Sequence, residues 1–296
     1  MESPDYGTEN SFYRRRVNAV IDYLQTHLDE RPSLADLAAV GNFSEFHFHR
    51  VFRAVTGETV LEYATRIRMA RIARSLVWRR DRTLTDIAFD MGYRSSANFS
   101  RDVTRFYRTS PSQIRKTGRP PRQKEAEALL QQAAPSFADI RDVPERTVLY
   151  VRLQDGYRPE SIRKAFADLC AYAMEHFRHI EGEQLIGIGY DDPDYTDPDK
   201  CRYDACIALK KAVDPASVEP FNLKTVAGGK YAVFRFSGKG EDINAAWQAV
   251  FRDWVVHSEW MPDDRPHLEA YLPSPRYTED FYEAELCLPV ARIPKD

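Results

Sequence analysis

Ser33-Leu34-Ala35-Asp36-Leu37-Ala38 and Thr83-Leu84-Thr85-Asp86-Ile87-Ala88 stand fifty positions apart in the first third of the chain, and they open two copies of one stretch of about 30 residues. Phe43 returns as Tyr93, and after one inserted residue Phe48-His49-Arg50 returns as Phe99-Ser100-Arg101. Self-similarity of this kind marks one supersecondary unit used twice. Each copy begins with a hydroxyl followed three residues later by a carboxylate, a pattern that satisfies free N–H groups at a helix start. A short helix, a turn holding glycine (Gly41-Asn42, Met91-Gly92) and a longer helix follow, which is the outline of a helix-turn-helix.

The longer helix of each copy shows what the units are for. In the first, Phe48, Val51, Phe52 and Val55 fall at i, i+3, i+4 and i+7 and are expected to pack inward, leaving Phe46, His49, Arg50 and Arg53 on the opposite face. In the second, Phe99, Val103 and Phe106 form the expected inward stripe, and Ser96, Asn98, Arg101 and Arg105 point out. Arg and Asn carry paired donors and acceptors that match guanine and adenine edges in the major groove, and Ser or Arg can hold phosphates. Charged outward residues are also what any solvated helix shows. The repeat, both caps and both outward faces agree, however, and that favours two recognition helices. Between the units, Thr59 to Trp78 has no Pro or Gly and reads as one helix, roughly 30 Å long, close to the ~34 Å between successive major-groove faces. One chain can therefore fill two adjacent grooves without dimerising.

On these residues, 12–118 resemble the DNA-binding domain of AraC/XylS-type transcription regulators, whose signature runs along Ile87-Ala88 through Gly92-Tyr93 and Phe99-Ser100-Arg101 to Pro111. The resemblance implies that Phe46, His49 and Arg50 in the first recognition helix, and Ser96, Ala97, Asn98 and Arg101 in the second, face the bases. Arg53 and Arg105 join them from the outward faces. Arg108 stands where the family usually has glycine, and Ile114 where it usually has tyrosine.

The whole-chain charge of −3 conceals a segregation. Residues 1–122 hold 21 Lys and Arg against 14 Asp and Glu, whereas 123–296 hold 21 against 31, so a basic half (+7) is fused to an acidic one (−10). Two domains with different partners are expected, 12–118 and 137–292, the first closed by Gly118 and followed by a linker over 119–136 that contains Pro120 and Pro121 and a short Glu/Ala/Leu/Gln-rich helix from Lys124 to Ala134. The basic half suits DNA binding through counterion release. No apolar run reaches the ~18 residues of a membrane helix and the acidic start Met1–Asp5 is no secretory signal, so a cytoplasmic location is expected. Cys170, Cys201, Cys206 and Cys287 have no metal spacing and read as core thiols. His47 and His49 point to different sides of a helix, and His176 and His179 lack a companion ligand, so neither a metal nor a cofactor is expected.

From Phe137 the texture becomes α+β. Strand-like runs occur at 148–151, 185–190, 205–209, 231–236, 268–272 and 284–288, with helical stretches at 160–177 and 242–256. The order strand, helix, strand, strand occurs twice, and Val143–Leu153 matches Val226–Phe236. A duplicated βαββ unit is expected to set two sheets side by side with a cleft at their junction. Inside an otherwise apolar run, alternation puts Glu269 and Tyr271 on one strand face and Leu268, Ala270 and Leu272 on the other. Either the strand is an edge and Glu269 is solvated, or Glu269 lies at the bottom of an aromatic cleft, where a carboxylate raises its pKa or waits for a cation.

Residues 137–292 resemble the gyrase-inhibitor-like (GyrI-like) effector-binding domain, through Ile186-Gly187-Ile188-Gly189-Tyr190-Asp191-Asp192-Pro193, Arg202-Tyr203-Asp204-Ala205-Cys206 and His267-Leu268-Glu269-Ala270-Tyr271. The resemblance implies paired βαββ units around a pocket for amphipathic or cationic molecules, with Glu269 and Tyr271 as ligand residues and Tyr190 and Trp247 beside them by their place in the repeat. The leading expectation is a one-component regulator, not an enzyme, with promoter DNA, a small-molecule effector and RNA polymerase as partners. Two other readings stay open. Glu269 and Tyr271 can serve a hydrolase as general base and orienting group, or the C-terminal half can be a protein-interaction module.

Overall fold

The computed structural model describes residues 11–118, 135–177, 184–193, 195–210, 213–214, 217–272 and 281–293. The expected linker helix and His179 lie outside them. The described residues form two compact units, a helical N-terminal one and an α+β C-terminal one.

The first unit contains α1 (Ser11–Thr26), α2 (Leu34–Val40), α3 (Glu45–Thr56), α4 (Val60–Trp78), α5 (Leu84–Asp90), α6 (Ser96–Tyr107) and α7 (Pro111–Thr117). Both repeated starts close as capping boxes, Ser33 with Asp36 and Thr83 with Asp86, and α4 starts the same way from Thr59 and Glu62. Each cap contributes about 1 kcal/mol, which matters most for the seven-residue α2 and α5. The nineteen-residue α4 serves both halves of the unit. Its Val60, Tyr63 and Ile67 are buried with α1–α3, and its Met69, Ile72 and Leu76 with α5–α7. Two three-helix groups thus share one rod about 28 Å long.

In α3 the inward stripe is fully buried Phe48 and Phe52, flanked by half-buried Val51 and Val55. The stripe of α6 differs from expectation: Phe99, Val103 and Tyr107 are buried, and Phe106 is 38% exposed. The buried row advances by i+4 along the helix ridge, so the i+7 position falls at its edge and the ring of Phe106 leans edge-on against Tyr107. Arg108 ends α6 in left-handed backbone (φ 58°), the conformation for which glycine at this place is suited.

The second unit contains β1 (Ser136–Val143), β2 (Arg146–Leu153), α8 (Pro159–Phe177), β3 (Leu185–Gly189), β4 (Tyr203–Ala208), β5 (Asn222–Val226), β6 (Gly229–Lys239), α9 (Ile243–Ala249), β7 (Trp260–Pro262), β8 (His267–Tyr271) and β9 (Phe281–Arg292). After α9 the helical path continues as a π turn (Val250–Trp254) and a 3₁₀ turn (Val255–His257). The two expected sheets are one: antiparallel strands run in the order β1-β6-β9-β8-β3-β4-β2-β5, with β7 on β9. That order is a palindrome of the repeat. Each half is ββαββ, and its first strand pairs with the second strand of the other half, β1 on β6 and β5 on β2.

β1 and β2 lie far apart in this order, yet only Pro144 and Glu145 separate them, so the sheet curls on itself. Val148, Tyr150, Ile186, Ile188, Tyr231, Val233 and Leu268 cluster on the enclosed face. The outer face takes α8 against β2 and β4, and α9 against β6. The halves join where β3 pairs with β8, Gly187 opposite Glu269. Among the described residues no helix is long and apolar enough to cross a membrane.

Candidate functional site

In the first unit, Ser44 and Ser95 cap α3 and α6 by accepting from the backbone N–H groups of His47 and Asn98. With Phe48, Phe52, Phe99 and Val103 fixed inward, the opposite faces are set. His49, Arg50 and Arg53 on α3, and Ser96, Ala97, Asn98, Arg101 and Arg105 on α6, are all exposed. The side chain of Phe46 lies outside the described residues. On α6, Arg101 Nη2 donates to Asn98 Oδ1 at 3.0 Å and Arg105 Nη2 to Asp102 Oδ1 at 3.0 Å, so the two arginines lie along one face with their donors at the surface.

In the second unit, a cavity of about 790 Å³ lies over the β3–β8 junction, between α8 and the start of α9. Strand alternation delivers His267, Glu269 and Tyr271 to it from β8 and Tyr203 from β4, while Ile162 and Phe166 of α8 and Trp247 of α9 supply walls. Glu269 is 5% exposed, and β8 is an interior strand between β9 and β3, so the solvated-edge reading does not apply. Its Oε2 accepts from Tyr203 Oη (2.8 Å) and Tyr271 Oη (2.9 Å), and its Oε1 from Trp247 Nε1 (3.2 Å). Among the described residues no Lys or Arg forms an ion pair with it.

Burial pushes the Glu269 carboxyl above its ordinary pKa, against the pull of the three donors. Burial, then the carboxylate charge, pushes both phenols well above theirs, so Tyr203 and Tyr271 stay protonated and donate. Space for this group comes from β3. A Cβ built on Gly187 would lie 1.8 Å from Tyr203 Oη and 2.8 Å from Glu269 Oε2. Aromatic rings complete the surroundings: Phe166 and Tyr282 meet Tyr271 edge-on at 5.3 and 6.0 Å, and the His267 ring lies 4.4 Å from Trp247.

Of the ligand residues expected from sequence, the structure brings Glu269, Tyr271 and Trp247 together. It places Tyr190 elsewhere. Tyr190 packs against the enclosed face of the sheet, where its hydroxyl donates to Asp204 Oδ2 at 2.7 Å beside Arg152 and Lys224. Alternation along β3 puts Tyr190 on the side of Ile186 and Ile188, opposite Gly187 and Gly189, which border the cavity. Tyr203 was not singled out, although the paired glycines of Ile186-Gly187-Ile188-Gly189 signal that something large fills the space beside them. Three of the four cysteines are buried; the half-buried Cys170 lines the cavity instead of a core. Among the described residues no group of three or more His, Cys, Asp or Glu can hold a metal.

Comparison with known proteins agrees with both units. Residues 37–117 match a helix-turn-helix domain family, and residues 138–291 match the GyrI-like small molecule binding domain. The chain belongs to the AraC-type regulators with a GyrI-like domain. The regulatory protein SoxS of Salmonella typhimurium is 31% identical to it over 105 residues, covering 35% of this chain and 95% of SoxS. A DNA gyrase inhibitor of Escherichia fergusonii is 24% identical over 158 residues, covering 53% of this chain and 98% of the inhibitor. The uncharacterized HTH-type regulator YbfP of Bacillus subtilis is 33% identical over 104 residues, and the chain spans only 35% of its length. This AraC-type, GyrI-like chain is a DNA-binding transcription regulator.

Proposed function

We propose that this regulator is a one-component switch in which the GyrI-like domain (137–292) binds an amphipathic cation and thereby alters promoter binding by the N-terminal domain (12–118). The observation that carries the ligand class is Glu269: a buried carboxylate whose hydrogen-bonding partners are all neutral, set among aromatic rings. Such a site leaves its negative charge for the ligand to neutralise, and the ring faces add cation–π attraction. About 790 Å³ suits a multi-ring molecule in place of a simple amine. The same three donors argue against a hydrolase. The carboxylate oxygens already accept from Tyr203, Tyr271 and Trp247, which commits most of the lone pairs a general base would use and fixes the group in place as a countercharge.

On the DNA side, α3 and α6 read bases through Arg50, Asn98 and Arg101, while Arg53 and Arg105 hold phosphates. The regulator works where the DNA is, in the cytoplasm, and its output passes to RNA polymerase. The test of the ligand class titrates the full chain with tetraphenylphosphonium and with neutral triphenylphosphine oxide, following tryptophan fluorescence. The wild type is expected to prefer the cation, and Glu269→Gln to lose roughly tenfold or more for the cation alone, as for a buried charge partner. Equal losses for both compounds would remove the countercharge role.

A further inference from the structure

The two copies of the repeat differ at one place in a way that the turn itself does not explain. Asn42 and Gly92 are equivalent, and both take left-handed backbone, φ 52° and 73°. Asparagine serves in the first copy, so this turn accepts a side chain. In the second it has no room: a Cβ on Gly92 would lie 2.0 Å from the carbonyl oxygen of Asp29. Asp29 belongs to the loop 28–32 that joins α1 to α2, in the other helix-turn-helix group. More contacts surround this one. Arg68 of α4 donates to the Leu28 carbonyl from Nε (3.3 Å) and Nη2 (3.2 Å). Arg31, itself left-handed at φ 52°, sets its guanidinium carbon 4.3 Å from the centre of the buried Tyr93 ring. Tyr93 in turn neighbours Asp102 of α6, the residue after Arg101.

A shared helix fixes the distance between two groups but leaves bending and twisting about one rod. A second attachment removes that freedom. We infer that the 28–32 loop, clamped on Gly92 and Tyr93, locks the setting of α6 relative to α3, so that the chain accepts two DNA half-sites at only one spacing. Arg31 and Gly92 are thus positioning residues for specificity. The inference rests on the reading that both α3 and α6 enter DNA grooves.

The test selects operator duplexes from a random library with the full chain, then inserts or deletes one or two base pairs between the half-sites. Wild type is expected to lose on the order of tenfold or more per shifted base pair, comparable to a mismatched pair. Arg31→Asn keeps a residue that tolerates left-handed backbone and removes the stacked cation; Gly92→Asn copies the first repeat and forces the loop away. Both are expected to shrink the spacing penalty to about a third or less while binding an isolated half-site as well as wild type does. An unchanged spacing penalty in the two variants overturns the lock. So does a parallel loss of half-site binding, which marks Arg31 and Gly92 as merely structural. Because Arg31 is exposed, Arg31→Asn decides the matter even if Gly92→Asn does not fold. Selection of a single half-site by wild type instead removes the two-groove reading on which the lock depends.

Discussion

Glu269 has the chemistry of a residue kept for something other than stability. With its pKa raised by burial, the native state holds the proton more tightly than the unfolded chain does, so folding stability falls as pH rises from the ordinary glutamate value through the folded one. Where Glu269 is ionised its charge is therefore a cost, one that the proposed cation would offset. Glu269→Gln is expected to melt at or above the wild-type temperature at pH 7, with the difference closing in acid; scanning calorimetry across pH checks this. Cation affinity is expected to fall as pH drops through the raised pKa, with no such change for a neutral analogue or for Glu269→Gln. On the exposed faces of α3 and α6 proposed to meet DNA, Arg50→Ala and Arg101→Ala are each expected to cost about 1–3 kcal/mol on the selected operator and less on random duplex. Equal losses on both duplexes in binding titrations would assign these arginines to phosphate.

Strand β4 shows how one element serves two faces. Tyr203 points into the cavity, and the next residue, Asp204, points to the enclosed face, where Arg152 donates to it from Nε (2.8 Å) and Nη2 (2.7 Å) with both side chains fully buried. Burial opposes this charge, but Arg152 and Lys224 hold its pKa well below the carboxylate range, so the stability it contributes is present above the unfolded value and lost as pH falls through the folded one. Asp204→Asn leaves two cations without their countercharge and is expected to cost about 3 kcal/mol or more in urea melts; under 1 kcal/mol would mean the cluster relaxes freely. Elements that depend on local chemistry were legible in sequence: the capped helices, the uninterrupted α4, and the carboxylate alone in the apolar β8. The pairing of β1 with β6 and of β5 with β2 was not, because alternation states which face a residue takes but not which strand lies beside it. β1 is exposed along its first half and carries no alternation to read. Tyr203 escaped for a related reason, since its role comes from the empty space beside Gly187, which only the β3–β4 pairing reveals.

For the whole molecule, a basic DNA-binding domain and an acidic GyrI-like domain on one chain would give the proposed switch only if an effector binds the DNA-bound and free forms unequally, since a ligand with equal affinity for both shifts nothing. Linkage makes that requirement measurable from either end. If tetraphenylphosphonium changes operator affinity by some factor, saturating operator must change tetraphenylphosphonium affinity by the same factor, typically 5–150-fold, or about 1–3 kcal/mol. The expected result is matched factors in the two titrations, both collapsing to unity in Glu269→Gln, whose operator affinity without ligand stays at the wild-type level because Glu269 lies in the cavity of the second unit. Operator binding should weaken steeply with salt through the phosphate contacts, whereas the coupling factor should not follow that slope if the same phosphates are neutralised in both states. A ligand that binds tightly through Glu269 yet leaves operator affinity untouched would exclude control by affinity. The regulated step would then be what the bound chain presents to RNA polymerase, and transcription from a promoter saturated with the regulator would be the readout that still responds to the cation.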